Sequence, residues 1–217
     1  MMLQEKFGIK YLERKPKVEK ELAPLLVLIH GYGSNEADLF GFAEDLPPKY
    51  HIVSLQGIRS VSFGGFCWYD IDFVNMEKHS NFEQALEARD QIKNFIEQFT
   101  KEQNLSKKGI TLCGFSQGCI LSYSLALHNP DLIQNVVALS GYPESHILPK
   151  ESKKDVSHLN FFISHGSEDA VIPVEWARNI KSIMHHLKIN YIYREYPAGH
   201  GINPENYKDM MQWIYQL

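Results

Sequence analysis

The sequence predicts a three-layer α/β fold, and two observations lead to it. Short runs of β-branched and apolar residues alternate with longer segments of helical period along the 217 residues. Several short runs, such as Leu25–Ile29, are continuously apolar, which is typical of parallel strands covered on both faces. Strands and helices that alternate in this way form a mostly parallel central sheet, here of about seven strands, flanked by helices on both faces.

The predicted elements can be placed along the chain. The strand candidates are β-branched or aromatic runs bounded by turn residues: Gly8–Glu13, Leu25–His30, His51–Leu55, Ile110–Cys113, Val136–Ser140, Asn160–Ser164 and Tyr191–Tyr196. The helix candidates carry apolar residues at helical spacing: Asn35–Asp45, Asn81–Gln103, Cys119–His128, Val174–Leu187 and Pro204–Tyr215. No linker or repeat divides the chain, so we expect a single domain over residues 1–217 without a large cap domain.

Residues 58–80 fit neither pattern, because they carry two adjacent glycines and five aromatic residues without a clear period. Loops of this length in compact domains are usually functional or disordered, and an aromatic-rich loop is poorly suited to disorder. We therefore expect an ordered flap over a functional site.

The composition argues against several classes of protein. A net charge of −4 gives no sign of an electrostatic nucleic-acid binder. The cysteines Cys67, Cys113 and Cys119 have neither zinc-ligand spacing nor the density of a disulfide framework, and we expect Cys113 and Cys119 to be buried packing residues. The N-terminal residues lack a signal-peptide pattern, and no apolar run approaches membrane-span length. We expect a cytoplasmic protein without stable membrane insertion.

The residues Gly-Phe-Ser-Gln-Gly at 114–118 stand between a strand candidate and a helix candidate. A serine hydroxyl is a weak nucleophile that must stand clear of the sheet on a sharp turn, and small flanking residues allow that turn. The turn also directs the Gln117 backbone N–H and the helix N-terminus toward the reacting centre, where they stabilise an oxyanion. A simpler interpretation is that the glycines make a turn and Ser116 caps the helix.

Partners for Ser116 follow in the order that such a site demands, which is serine, acid, histidine. Asp169 comes after the strand candidate that ends at Ser164, and His200 lies in a glycine-flanked turn after the last strand candidate. Glu168 and Asp155 compete for the role of the acid, but they fit the motif less well. All three chosen residues follow the carboxyl ends of predicted parallel strands, where open α/β sheets place their sites.

The turn His30-Gly31-Tyr32-Gly33 follows the strand candidate at Leu25 directly. A loop in this position supplies the second oxyanion donor, here the backbone N–H of Tyr32. We expect His30 to order that loop, and His165 to be a structural neighbour of the site rather than a base.

With these residues identified, the sequence resembles the phospholipase/carboxylesterase family of α/β-hydrolases, which includes acyl-protein thioesterases and small bacterial carboxylesterases. Five motifs carry the resemblance from about residue 24 to the C-terminus: His-Gly-Tyr-Gly at 30–33, Trp-Tyr-Asp-Ile at 68–71, Gly-Phe-Ser-Gln-Gly at 114–118, His-Gly-x-x-Asp-x-x-Ile-Pro at 165–173, and Gly-His at 199–200.

The resemblance implies a function for each motif. It assigns Ser116, Asp169 and His200 to the catalytic triad and the Tyr32 and Gln117 N–H groups to the oxyanion hole. It places the loop of Trp68 in the wall of the acyl pocket, for which the candidate residues are Tyr32, Phe66, Trp68 and Ile172. The alternative interpretation of Trp68 is a residue that fills the core. The chain departs from the family at Tyr32, where a small or aliphatic residue is commoner, and in residues 61–67. A tyrosine at this position could narrow the pocket mouth and disfavour long acyl chains.

We therefore expect a serine hydrolase that cleaves short- to medium-chain carboxylic esters through an acyl-enzyme, with no metal or cofactor. A lysophospholipase or acyl-protein thioesterase with the same triad is an alternative, and a non-catalytic binding protein of this fold is a remote one. The expected partner is a small acyl ester or thioester, with no nucleic acid; a weak homodimer is left open.

Overall fold

The computed structural model describes residues 2–18, 21–62, 64–74, 77–150 and 154–217, and for residues 72–74 and 77–79 it describes only the backbone. Its main sheet has eight strands: β1 (Gln4–Lys6), β2 (Ile9–Arg14), β3 (Leu25–Ile29), β4 (His51–Leu55), β9 (Ile110–Phe115), β10 (Ile133–Leu139), β11 (Asn160–Gly166) and β12 (Asn190–Tyr196). The order across the sheet is β1-β2-β4-β3-β9-β10-β11-β12. The pairs β1/β2 and β2/β4 are antiparallel and the remaining pairs are parallel.

The predicted fold class is confirmed, since every strand candidate lies in this sheet and β1 is the one added strand. The central strands β3 and β4 are buried along their whole length, as their continuous apolar sequences predict. β1 was missed because a three-residue polar edge strand carries too little pattern to detect.

Helices cover both faces of the sheet. They are α1 (Ala37–Phe40), α2 (Phe82–Glu102), α3 (Gln117–His128), α4 (Val174–Arg178), α5 (Ile180–Leu187) and α6 (Pro204–Gln216). Apolar residues of α2, α3 and α5 pack into one core cluster, and those of α1 and α6 pack into a second. The helix α3 is buried almost all round, which explains its uniformly apolar sequence.

Two predicted helices differ in extent from the observed ones. The single helix predicted over Val174–Leu187 is divided at Asn179, whose N–H donates to the carbonyl of Ala177; asparagine is a weak helix former. The helix predicted over Asn35–Asp45 is reduced to α1, because the chain continues from Gly41 in tight turns.

The predicted flap at residues 58–80 contains two antiparallel hairpins: β5 (Arg59–Ser60) with β6 (Phe66–Cys67), and β7 (Ile71–Val74) with β8 (Glu77–Ser80). Residues 63, 75 and 76 of this segment lie outside the described residues. Strands of two to four residues are too short to show a period of two in the sequence, so the pattern did not predict them. Across the described ranges, none of the helices is long and apolar enough to cross a membrane.

Candidate active site

The turn between β9 and α3 places Ser116 at the carboxyl edge of the sheet. Ser116 has a φ of 52° and a ψ of −113°, a conformation in which non-glycine residues are strained. Its side chain makes no capping hydrogen bond to α3, so the interpretation as a helix cap is wrong. The backbone is held in this conformation by hydrogen bonds from Ser116 N–H to the Leu139 carbonyl and from Ile120 N–H to the Ser116 carbonyl.

Close backbone approach explains the two glycines of the motif. A Cβ added at Gly118 would lie 2.0 Å from the carbonyl oxygen of Ile29, and one added at Gly114 would lie 2.4 Å from that of Gly118. Because real Cβ atoms do not come this close to backbone oxygens, larger residues would force the strand and the helix apart. The strained serine therefore depends on both glycines.

Ser116, His200 and Asp169 form one hydrogen-bonded line. The Ser116 Oγ lies 3.0 Å from His200 Nε2, and His200 Nδ1 lies 2.7 Å from Asp169 Oδ2. His200 and Ser116 are partly exposed, whereas Asp169 is buried beneath them. The structure thus brings together the three residues predicted to react, in the geometry of a nucleophile, a base and an orienting acid.

The environment of Asp169 keeps it ionised. Burial acts to raise its pKa, but hydrogen bonds from Ile172 N–H, His200 and Val171 N–H outweigh that effect and lower the pKa below its ordinary value. Both backbone N–H groups donate to Asp169 Oδ1 at 2.8 Å, which leaves Oδ2 for His200. A carboxylate held in this way fixes the ring of His200 and stabilises its protonated form.

His165 contacts both Asp169 and Ile172, and so joins the two ends of the loop between them. It is fully buried at the end of β11, and its Nε2 lies 2.8 Å from the Ile172 carbonyl and 3.3 Å from Asp169 Oδ2. Two oxygen acceptors around Nε2 require the proton to be on that nitrogen. His165 therefore supports Asp169 from below, in agreement with its predicted structural role.

The loops of the acid and the histidine are also joined through their backbones. The N–H of Ser167 donates to the Tyr196 carbonyl, and the N–H of Glu168 donates to the Ala198 carbonyl. Gly166 has no room for a side chain, since a Cβ there would lie 2.2 Å from the Gly199 oxygen. These contacts hold the loop of Asp169 against the loop of His200 at the carboxyl edge of the sheet.

The loop after β3 packs directly against Ser116. A Cβ at Gly31 would lie 3.1 Å from the Ser116 Cβ, so Tyr32 N–H is carried on backbone that touches this serine. His30 orders this loop: its Nε2 accepts the Gly57 N–H at 2.8 Å, which places its proton on Nδ1, 2.6 Å from the Gly31 carbonyl. Burial is the main cause that lowers the pKa of His30.

Gln117 ties Trp68 and Tyr69 to the turn that carries Ser116 (the nucleophile turn of the predicted site), a contact that no pattern in the sequence predicts. Its side-chain Oε1 accepts the Trp68 N–H at 2.8 Å, and its Nε2 donates to the Tyr69 carbonyl at 2.7 Å. The Trp68 indole N–H donates to the His30 carbonyl at 2.9 Å. The side chains of Gln117 and Trp68 therefore connect the nucleophile turn, the loop after β3 and residues 66–69. A motif search could not find this pair, because the two residues are far apart in the chain.

The four predicted pocket residues occupy two kinds of position. Tyr32 and Phe66 are half-buried at the surface of the site. Trp68 and Ile172 have exposed fractions of 0% and 1%, so they offer no surface to a substrate, and their predicted position in the pocket wall is corrected to one beneath it. Both residues make internal hydrogen bonds: Trp68 bonds to His30, and the backbone of Ile172 bonds to Asp169 and His165.

The competing acid candidates lie elsewhere. Glu168 is exposed, and Asp155 stands before the amino end of β11 with its carboxylate on Ser157 N–H. Ser140, next to the site, is buried with a φ of 50°, and its hydroxyl has no partner among the described atoms. The three cysteines are buried thiols. Over the part of the chain that the structure describes, no cluster of three or more His, Cys, Asp or Glu side chains could hold a metal ion.

The fold and the order of these loops are those of an α/β-hydrolase. The sequence profile of the phospholipase/carboxylesterase family matches residues 15–217, and the chain belongs to that family. Membership makes it a hydrolase of the ester-cleaving class.

Individual relatives and structures agree with this assignment. Acyl-protein thioesterase 1 homolog 1 of Dictyostelium discoideum is 26% identical over 227 residues, covering 95% of this chain and 97% of its own. Acyl-protein thioesterase 1 of Yarrowia lipolytica is 24% identical over 204 residues, covering 87% and 89%. The crystal structure of a carboxylesterase from Mesorhizobium loti has the same fold, with a TM-score of 0.83 at 20% identity over 100% of this chain and 99% of that one.

Proposed function

We propose that this protein is a serine esterase in which Ser116 is the nucleophile, His200 the general base and Asp169 the orienting acid. The observation that carries the proposal is the line of hydrogen bonds from Ser116 Oγ through His200 to Asp169. The strained turn at Ser116 supports it, because unfavourable backbone conformations persist where a function needs them.

The reaction follows from this geometry. His200 Nε2 takes the proton of Ser116 Oγ as that oxygen attacks the acyl carbonyl, and Asp169 stabilises the imidazolium that forms. The backbone N–H groups of Gln117 and Tyr32 receive the developing oxyanion, each contributing about 3–4 kcal/mol in comparable enzymes. His200 then protonates the leaving alcohol, and a water that it activates releases the acid from the acyl-enzyme.

The proposed substrate is a short- to medium-chain carboxylic ester. Tyr32 and Phe66 are the proposed contact residues, because they are the two predicted pocket residues with exposed surface. The two thioesterase relatives support a thioester as the second candidate, cleaved by the same residues. The single-domain organisation, the cytoplasmic location and a weak homodimer stay predictions from the sequence.

Covalent labelling tests the proposal. A fluorophosphonate probe should label the wild-type protein at one site, and Ser116→Ala should lose both the label and the hydrolysis of a p-nitrophenyl ester. Ser182→Ala, which removes an exposed hydroxyl on α5, is the matched control and should keep both. Wild-type turnover by Ser116→Ala would refute the triad. Rates on esters from acetyl to palmitoyl and on matched thioesters would then separate the two substrate classes.

A further inference from the structure

A cavity of about 510 Å³ lies at the segment that follows β10, and three of its described lining residues are Phe, Tyr or Trp. Tyr142 follows β10, Trp176 belongs to α4, and Phe82 begins α2. The Tyr142 and Trp176 rings meet edge to face, with centroids 5.2 Å apart and planes at 71°, so that they form a corner. Phe82 stacks on His146, with centroids 4.3 Å apart and planes at 9°.

The segment that lines the cavity is joined to the turn of Ser116 through Gly141. A Cβ at Gly141 would lie 3.0 Å from the Ser116 carbonyl oxygen, so Gly141 packs against the turn that carries the nucleophile. Tyr142 is the next residue, and consecutive Cα atoms are about 3.8 Å apart. The Tyr142 backbone is therefore within roughly 8 Å of the Ser116 carbonyl oxygen, and the cavity begins one residue from the contact with the serine turn.

One carboxylate lines the described part of the cavity. Among the lining residues that the structure describes, Glu144 is the one acidic residue, none is lysine or arginine, and the titratable neighbour of Glu144 is His146. Glu144 Oε1 accepts the His146 N–H at 3.1 Å and lies 2.7 Å from His146 Nδ1, which fixes the carboxylate in the cavity wall. Burial, and after it the Glu144 carboxylate, raises the pKa of Tyr142, so that this phenol stays neutral.

A neutral aromatic corner beside one carboxylate is suited to a cation. Ammonium groups are attracted to ring faces by the quadrupole of the ring, and quaternary ammonium ligands are bound in aromatic cages of this kind. Glu144 adds a direct Coulombic attraction that is screened less than one on the open surface, because its side chain is only 14% exposed.

We propose that this cavity binds a cationic group of the substrate, of the alkylammonium class, and so gives the esterase a preference for positively charged esters. The proposal rests on the proposed function, since it concerns a substrate that reacts at Ser116. An ammonium group could reach the cavity from the alcohol part or from the acyl part of the ester.

Pairs of isosteric substrates test the preference. Acetylcholine and its neutral isostere 3,3-dimethylbutyl acetate differ in the charge of the alcohol, and the ethyl esters of betaine and of 3,3-dimethylbutanoic acid differ in the charge of the acyl part. Because the ammonium group also activates an ester by electron withdrawal, each kcat/KM is divided by the rate constant for alkaline hydrolysis of the same ester. We expect this corrected ratio to favour the cationic member of one pair roughly tenfold, the size of a partly desolvated cation–π contact. The pair whose corrected ratio falls in the cavity variants identifies which part of the ester carries the cation.

Two variants assign the preference to the cavity. Glu144→Gln and Trp176→Leu should each lower the ratio of cationic to neutral kcat/KM severalfold, and Glu175→Gln, an exposed neighbour on α4, should leave the ratio unchanged. Hydrolysis of both members of each pair at equal rates would overturn the proposal and leave the esterase intact. A preference that survives both cavity variants would overturn it as well. Failure to hydrolyse any of the four esters, together with loss of fluorophosphonate labelling, would instead refute the proposed function.

Discussion

Truncation of Gln117 should destabilise the protein through the two backbone groups that its amide holds. In Gln117→Ala the N–H of Trp68 and the carbonyl of Tyr69 both lose their partner. Trp68 and Tyr69 are buried, with exposed fractions of 0% and 2%, so water cannot replace the lost bonds without rearrangement. The backbone N–H of Gln117 is retained, which separates this effect from loss of the proposed oxyanion donor.

The size of the effect follows from the number of groups left unpaired. Each buried backbone group without a partner costs about 1–3 kcal/mol, so the two together cost about 2–6 kcal/mol. Stabilities of natural domains are about 5–15 kcal/mol, so this loss is a large part of the total. Gln117→Glu should also destabilise the protein, because a carboxylate cannot donate to the Tyr69 carbonyl and would be buried without a cation.

Urea denaturation provides the measurement. The free energy of unfolding of Gln117→Ala should fall by at least about 2 kcal/mol relative to the wild type. Gln98→Ala is the matched control, since the Gln98 amide bonds only to Asn94 on the exposed face of α2, and it should stay within about 0.5 kcal/mol of the wild type. Equal losses in the two variants, or no loss in either, would refute the argument that the Gln117 amide is a structural tie.

Two further predictions concern stability. Burial is the main cause that lowers the pKa values of His30 and His51, so the native state binds fewer protons than the unfolded state below the ordinary histidine value of 6.5. The contribution of these two histidines to the free energy of unfolding should therefore be complete above about pH 6.5. It should fall as the pH decreases below that value, with a slope of up to about 1.4 kcal/mol per pH unit for each histidine. Urea titrations between about pH 5 and 7.5 measure this dependence, and a flat profile would contradict the prediction. The second prediction is that Gly118→Ala loses at least about 3 kcal/mol of its free energy of unfolding or fails to fold, because the new methyl group would overlap the Ile29 carbonyl oxygen. Gly41→Ala is the control and should be tolerated. Thermal melts compare the two variants, and an unchanged melting temperature for Gly118→Ala would show that β3 and α3 can separate.

Much of the fold could be predicted because the buried strands carry a strong local signal. A run such as Leu25–Ile29 is apolar throughout, and the glycines around Ser116 mark a turn that few other residues allow. The order of Ser116, Asp169 and His200 then agreed with one architecture. Each of these signals resides in a few consecutive residues, which is why one sequence was enough.

The parts that the sequence did not predict depend on contacts between distant residues. The bonds of the Gln117 amide to residues 68 and 69 span nearly fifty positions, and no local pattern records them. The burial of Trp68 has the same origin, because an aromatic residue in a loop looks alike whether it faces a substrate or supports the loop beneath it. The cavity beside Tyr142 is formed by β8, α2, α4 and the segment after β10, and only their packing reveals it.

The attachment of residues 66–69 to Gln117 and His30 has a consequence for how enzymes of this design can change. The nucleophile turn holds this segment at fixed points, whereas the hairpin of β7 and β8 begins just after them, at Ile71. Substitutions and insertions in that hairpin can therefore leave the hydrogen bonds that hold Trp68 and Tyr69 in place. The segment is anchored as far as Tyr69, and a change of length after residue 70 does not have to pass to the turn of Ser116.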